Sequence, residues 1–284
     1  MKKIFLIVIF FLAMIRGSAY IATKDIISYY SPLEIIFFRF FTTGLILSIF
    51  FWKKLKQIKV SETIFGFFAG ISLFLAFGFQ TYGLKFTSVS KQSFLTSLYI
   101  IMIPFIQFLF FKKKFQKIVY FSFVSILIGL FFISFQNFDS FEFTLNFGDF
   151  LTILCAFSFA ANIVLFACIN PKENEILNIT IVQMIVVGII SFFFQFLFEK
   201  TSIHFTLDYS LLYLIVVCTL LNFTLQNLSQ KYVPAHKIGL ILSLESVFGT
   251  LFAIIFLGEM ITLNFVIGIV FIMLGIISIQ VLEK

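Results

Sequence analysis

The sequence predicts an all-α integral membrane protein, ten transmembrane helices arranged as two inverted five-helix repeats. Three observations carry that prediction. Of 284 residues, 61% are hydrophobic and 12% charged, with a mean hydropathy of +1.12, too few polar side chains to cover a soluble globule. The apolar residues fall into ten runs of about 20 residues, the length that crosses a bilayer as a helix; a spanning strand needs about half that and alternates, as these runs do not. Finally, residues 77–98 align without gaps on 223–244, with Phe77/Phe223, Gln80/Gln226, Lys85/Lys231, Lys91/Lys237, Ser97/Ser243 and Leu98/Leu244 identical at an offset of 146.

The first run, 4–23, follows Lys2 and Lys3 and mimics a secretory signal ending at Gly17-Ser18-Ala19. Arg16 interrupts the supposed cleavage region and the run resumes through Tyr20 to Thr23, so it reads as an uncleaved first span. Runs 32–52, 62–85, 88–110 and 117–136 complete one unit, and 147–168, 178–198, 208–230, 234–257 and 261–282 form the other. The units divide the chain into 1–137 and 138–284, separated by a polar loop at 137–146 that carries Asp139 and Glu142. Gly66-x-x-x-Gly70 and Ser125-x-x-x-Gly129 are small-residue faces that let helices approach closely. Pro104 lies inside the fourth run, where a missing N–H bends a helix, making it the gating candidate; Pro234 opens the ninth run, where that loss is harmless.

Lysine placement sets the orientation. With the N-terminus inside, fourteen of the eighteen lysines fall on the cytoplasmic side, leaving Lys24, Lys85, Lys91 and Lys200 outside with Asp25, Asp139, Glu142 and Asp149. Both termini are then cytoplasmic and the protein is multi-pass in the cell membrane. Because five spans per unit is an odd number, the second unit enters from the opposite side, the inverted-repeat plan of secondary transporters. The net charge of +7 and pI near 9.3 reflect these loop lysines rather than a nucleic-acid surface. Three cysteines without CxxC spacing indicate neither a disulfide framework nor a metal site, and no cofactor is expected. The 47 phenylalanines fit lipid contact as well as any binding surface.

The chain resembles an EamA-type member of the drug/metabolite transporter superfamily. The resemblance rests on Arg16-Gly17-Ser18, Ser31-Pro32 with Phe38-Arg39-Phe40, and Leu244-Glu245-Ser246 followed by Leu257-Gly258-Glu259, similar to the family's Leu-Glu-Pro and Leu-Gly-Glu. Arg16 replaces an aromatic residue, Ser246 a proline, and Lys112 to Lys114 stand where the first unit often has Gly-Glu. The family implies ten helices, cytoplasmic termini, and export of amino acids or other small metabolites through a central cavity lined by spans 1, 3, 4, 6, 8 and 9.

Glu245 lies eleven residues beyond Pro234, roughly 16 Å deep at about 1.5 Å per residue, near the middle of a hydrocarbon core of about 30 Å. It reads either as a proton-coupling group or as a structural acceptor paired with a neighbouring helix. Tyr99 holds the equivalent place in the first unit, so any site is asymmetric. Arg16 and Arg39 are deep and face protein or water: as an anion site, or, respectively, snorkelling outward and pairing with Glu34 or a carbonyl. The amides Gln80, Asn162, Asn222, Gln226 and Asn227 suit a polar solute or interhelical hydrogen bonds, and Tyr82, Tyr99 and Phe159 suit apolar walls. Lys85, Lys91, Lys231, His236 and Lys237 lie near span ends and read as snorkelling side chains.

The expected function is a secondary transporter exporting amino acids or related metabolites by alternating access, with the bilayer, the solute, protons and a second copy of the chain as candidate partners. The alternatives are a nucleotide-sugar or phosphorylated-solute carrier, which wants several deep cations, and a structural membrane protein or intramembrane enzyme. For an enzyme, the two histidines, His204 and His236, fall on opposite sides and no transmembrane Asp pair exists. Reporter fusions at Lys284 and within the 137–146 loop are expected to read cytoplasm and exterior respectively. The same side for both would contradict the inverted repeat.

Overall fold

The computed structural model describes residues 2–111, 121, 124–125, 128–129, 132, 145–169, 173–199, 208–233, 235–260 and 262–281. Every regular element among them is helical: α1 Lys2–Ile26, α2 Pro32–Phe50, α3 Trp52–Leu55, α4 Val60–Leu84, α5 Val89–Thr96, α6 Tyr99–Phe111, α7 Phe147–Ile169, α8 Glu173–Phe194, α9 Tyr209–Ile215, α10 Asn222–Ser229, α11 Ala235–Leu242, α12 Leu244–Leu257 and α13 Leu263–Val281. Two π-helical stretches, Gln195–Glu199 and Val216–Leu221, extend α8 and join α9 to α10. Seven segments are long and apolar enough to cross a membrane, and Leu244–Leu257 and Leu263–Gly275 are shorter apolar helices. The chain is therefore a multi-pass membrane protein. Most of the expected fifth span and of the 137–146 loop, together with Lys112 to Lys114, Lys117, Lys172, Lys200, His204, Pro234 and Lys284, lie outside the described residues.

Helix starts follow from local chemistry. Ser31 caps α2 by accepting from Glu34 N at 3.2 Å, and Glu34 answers by accepting from Ser31 N, with Pro32 in the first turn where its missing N–H costs nothing. Glu34 thus serves the cap rather than the expected partnership with Arg39. Asp208 caps α9 through Ser210 N at 2.7 Å. Asp149, fully buried in the first turn of α7, accepts from Asn146 N at 2.9 Å and Thr87 Oγ1 at 2.6 Å, and pairs with Lys91 at 2.6 Å. Lys91 is accordingly an ion-pair partner and not a snorkelling side chain. Gly258, at φ 65°, ends α12 in the left-handed conformation that only glycine adopts without strain. The turn it makes sends Glu259 back to accept from Val89 N at 2.9 Å and Ser90 N at 3.1 Å, an anion on the free N–H groups of α5.

The fourth and ninth spans are broken, and not at proline. Helix α6 runs through Pro104; the break comes earlier, at Ser97 and Leu98, where tightened bonds such as Leu98 N to Leu95 O at 3.2 Å replace the regular ladder. Ser243, the residue aligned with Ser97, separates α11 from α12 in the same way. Open backbone in hydrocarbon costs several kcal/mol per group, so breaks survive only where protein supplies partners. Here each break faces the other: Ser97 Oγ lies 3.4 Å from Ser243 O, and Ser93 Oγ lies 3.3 Å from Ser246 O.

Reciprocal packing relates the two units. A methyl placed on Gly249 would meet Ser93 Cβ at 3.0 Å, and one on Gly239 would meet Ile103 Cδ1 at 2.9 Å; Ser93/Gly239 and Ile103/Gly249 are equivalent at offset 146. A second crossing repeats the pattern between α2 and α8. A methyl on Gly44 would lie 2.8 Å from Ile185 Cγ1, and one on Gly188 would lie 2.7 Å from Phe41 Cβ, with 44/188 and 41/185 both 144 positions apart. In each crossing the number rises along one helix as it falls along the other, so equivalent helices run antiparallel. Gly66 and Gly70 press on Val182 and Val186 with methyl distances of 2.6 Å, bringing α4 and α8 into parallel contact. Gly129 meets Ile272 of α13 at the same distance.

Large apolar side chains such as Phe67, Phe193 and Phe256 point out of the bundle, as expected of a protein whose solvent is hydrocarbon. At the crossing, Gly188→Ala forces Cβ against the backbone of Phe41 and is expected to cost about 1–3 kcal/mol, read as a lower unfolding temperature in detergent. Gly78→Ala, where an added methyl meets nothing within 4 Å, is expected to leave that temperature unchanged or raised. Equal losses for the two would contradict the tight crossing.

Candidate functional site

The deepest charges of the chain meet where α1, α10 and α12 pack together. Arg16 Nε donates to Glu245 Oε2, and Nη1 donates to Gln226 Oε1 at 3.0 Å. The guanidinium lies 5.0 Å from the Phe159 ring centroid and 6.0 Å from that of Phe223. Arg16 is 8% exposed and Glu245 1%, so this is an interior pair rather than a snorkelling arginine. Glu245 stands in the first turn of α12, a helix start created by the break at Ser243, where free N–H groups favour a carboxylate. Its second oxygen, Oε1, has no hydrogen-bond partner among the described residues.

Beside the pair is a small, partly enclosed cavity of about 30 Å³ bounded by Arg16, Tyr20 and Thr23 of α1, Arg39 of α2, Phe77, Gln80, Thr81 and Leu84 of α4, Cys218 and Phe223 of the α9–α10 region, and Glu245. It leads from the centre toward the end of the bundle where Glu259 caps α5. Near that end Tyr20, Leu84, Val89 and Ala253 pack together, and Lys24 Nζ donates to Leu84 O at 2.9 Å. Solute sites generally occupy about 300–1,000 Å³, so this cavity is far smaller than a solute site usually is. Arg39, 3% exposed, reaches the same cavity; its Nε donates to Thr219 Oγ1 at 3.1 Å and its guanidinium lies 4.8 Å from the Phe77 centroid.

The remaining sequence-predicted residues divide into two groups. Gln80 lines the cavity, its Nε2 donating to Tyr20 Oη at 3.2 Å, and Gln226 orients Arg16. Tyr99 is fully buried nearby, edge-on to Phe159 at 6.4 Å, with its hydroxyl donating to Gly239 O at 3.3 Å. Asn162 instead ties α7 to α4, donating to Ala69 O and Ser72 Oγ at 2.9 Å each. Asn222 ties α10 to α1 through Leu12 O at 3.0 Å, and Asn227 donates to Thr180 Oγ1 at 3.0 Å. Tyr82 lies away from the cavity with its hydroxyl on Glu199, and Pro104 lies within α6, outside the cavity lining. The cavity lining comes from spans 1, 2, 3, 8 and 9, so the second span joins it while the fourth and sixth do not.

Sequence reading missed Tyr20, Thr81, Cys218 and Thr219. The signal for part of this was an extension of the repeat: at offset 146, Arg16, Glu245 and Gln226 correspond to Asn162, Tyr99 and Gln80. The charged triple exists on one side of the pseudo-symmetry and its counterpart is neutral.

The profile of the EamA-like transporter family matches residues 3–135 and again 146–280. An uncharacterized transporter of Archaeoglobus fulgidus is 31% identical over 269 residues, 94% of this chain and 83% of its own. The uncharacterized transporter YoaV of Bacillus subtilis is 24% identical over 270 residues, 93% and 92% of the two chains. A crystal structure shares the fold at a TM-score of 0.67 and 13% identity, covering 97% of both chains.

Removing one member of a buried ion pair leaves the other uncompensated, at about 3–5 kcal/mol, whereas replacing both by apolar residues is close to neutral. Arg16→Met is therefore expected to lower the unfolding temperature in detergent, and Arg16→Met/Glu245→Leu to recover most of the loss. A double variant as unstable as the sum of the two single ones would contradict the pairing.

Proposed function

Because the chain belongs to the EamA-like transporter family, we propose that it is a ten-span secondary carrier of the cell membrane, exporting amino acids or related small metabolites by alternating access. The observation that carries this reading is the small cavity holding charges from both units, Arg16 and Arg39 from the first and Glu245 from the second. A buried charge cluster is costly in hydrocarbon and is kept where solutes or ions pass.

Ten crossings are supported by helix directions. Gly83 packs on Gly148 while Asn162 reaches back to Ala69, so α7 runs antiparallel to α4 and parallel to the fourth span. A return crossing between Phe111 and Phe147 fits these directions, and Gly129 and Phe132, helical residues in that stretch, pack on Ile272 and Phe271 of α13. The lysine distribution favours cytoplasmic termini. Alternation follows from the reciprocal crossings: two units with equivalent contacts have two packings of similar energy, one opening the cavity outward and one inward.

Glu245 is the group that couples transport to protons. Solute or a proton competes with Arg16 for its carboxylate, and release of the Arg16 contact frees α1 from α12. A nucleotide sugar or phosphorylated solute brings two or more negative charges, whereas Glu245 already offsets one of the two deep arginines.

The test is counterflow of radiolabelled amino acids in proteoliposomes, with and without a pH gradient. Wild type is expected to transport at least one with gradient-dependent accumulation, and Glu245→Gln to keep counterflow while losing the gradient dependence. Wild-type rate and unchanged pH dependence in Glu245→Gln would overturn the coupling role.

A further inference from the structure

Lys and Arg together number 20 in this chain, and only Arg16 and Arg39 are arginines. Both lie on one cavity of about 30 Å³. No lysine lines this cavity among the described residues. The two arginines are not equally satisfied. Arg16 has Glu245 as counter-ion, Gln226 as acceptor and the Phe159 ring as a face. Arg39 makes one hydrogen bond among the described residues, Nε to Thr219 Oγ1, and no carboxylate there lies within ion-pair distance of it. Its other donors form the planar fork that suits a two-oxygen anion.

We infer that Arg39 binds the carboxylate of a small monocarboxylic solute, and that the unpartnered Oε1 of Glu245, on the same cavity, receives the solute's ammonium group where it has one. This deepens the carrier reading and rests on it. The charges support one carboxylate group on Arg39: Arg16 and Glu245 offset each other, leaving the Arg39 guanidinium without a counter-ion among the described residues. A carboxylate offsets it, a solute lacking one leaves a bare guanidinium in hydrocarbon, and a dianion reverses the imbalance; the ammonium of a zwitterionic amino acid adds a positive charge that Glu245 then shares with Arg16. Gln80, Thr81 and Tyr20 add neutral donors and acceptors, and the rings of Phe77 and Phe223 offer an apolar wall. Because the cavity is small in this conformation, binding accompanies a widening between α1, α2 and α4.

The test reads binding separately from transport. The unfolding temperature of the purified full-length protein is measured with each of the twenty amino acids, with their carboxamides, and with chloride. At least one amino acid is expected to raise it by several degrees, its carboxamide and chloride to leave it unchanged, and Arg39→Lys to abolish the rise. For that amino acid, Arg39→Lys is expected to raise the half-saturation for counterflow about tenfold or more. Stabilisation by none of the acids, equal stabilisation by acid and carboxamide, or an undiminished rise in Arg39→Lys would each overturn the assignment. If Arg39→Lys does not fold, the acid–carboxamide contrast in wild type still decides. Stabilisation without counterflow leaves the carboxylate site standing and the carrier reading fallen; counterflow without stabilisation does the reverse.

Discussion

The contact between Arg16 and Glu245 is the constraint on which the rest of the structure depends. Neither charge is tolerable alone in hydrocarbon, so α1 of the first unit and α12 of the second must meet at that depth. Meeting there requires a carboxylate at a helix start, and the break at Ser243 supplies one. A break in turn leaves backbone groups open, and these are covered because the equivalent break at Ser97 faces it. The ion pair, the two broken spans and the crossing between them form one connected arrangement.

Pseudo-symmetry and its violation divide the work. The Gly44/Gly188 and Ser93/Gly239 crossings are reciprocal. The chemistry is not reciprocal: Asn162 and Tyr99 stand where the second copy of Arg16 and Glu245 would be, and they are spent on Ser72 and Gly239. One buried ion pair lies beside the symmetric crossing, and a second pair would add a further desolvation cost.

Much of this was legible in the sequence. The lengths of the apolar runs gave the helices, and the gapless match of 77–98 on 223–244 contained both break points and the Gln80/Gln226 pair. Glu245 stood out because a carboxylate in an apolar run has few tolerable surroundings. The break itself was hidden, since Pro104 is the visible helix disruptor while Ser97 and Ser243 act through a tertiary contact that no local propensity encodes. Asn162 and Gln226 are both amides in apolar runs, and only neighbours on other helices make one a strut and the other a clamp on Arg16. For Arg39 the sequence left open an anion site or a pairing with Glu34 or a carbonyl; Glu34, five residues away, is engaged in the cap of α2, a use that only the fold reveals.

Cys218 provides the most direct test of the central claim that this cavity is exposed to each side of the membrane in turn. It lines the cavity, is buried, and is one of three cysteines in the chain. With Cys155 and Cys168 changed to serine, the rate of Cys218 reaction with a membrane-impermeant thiosulfonate is measured from each face of oriented proteoliposomes. The account predicts reaction from both faces, with Arg16→Met/Glu245→Leu changing the ratio between them. Reaction from one face alone, or from neither while counterflow proceeds, would contradict it.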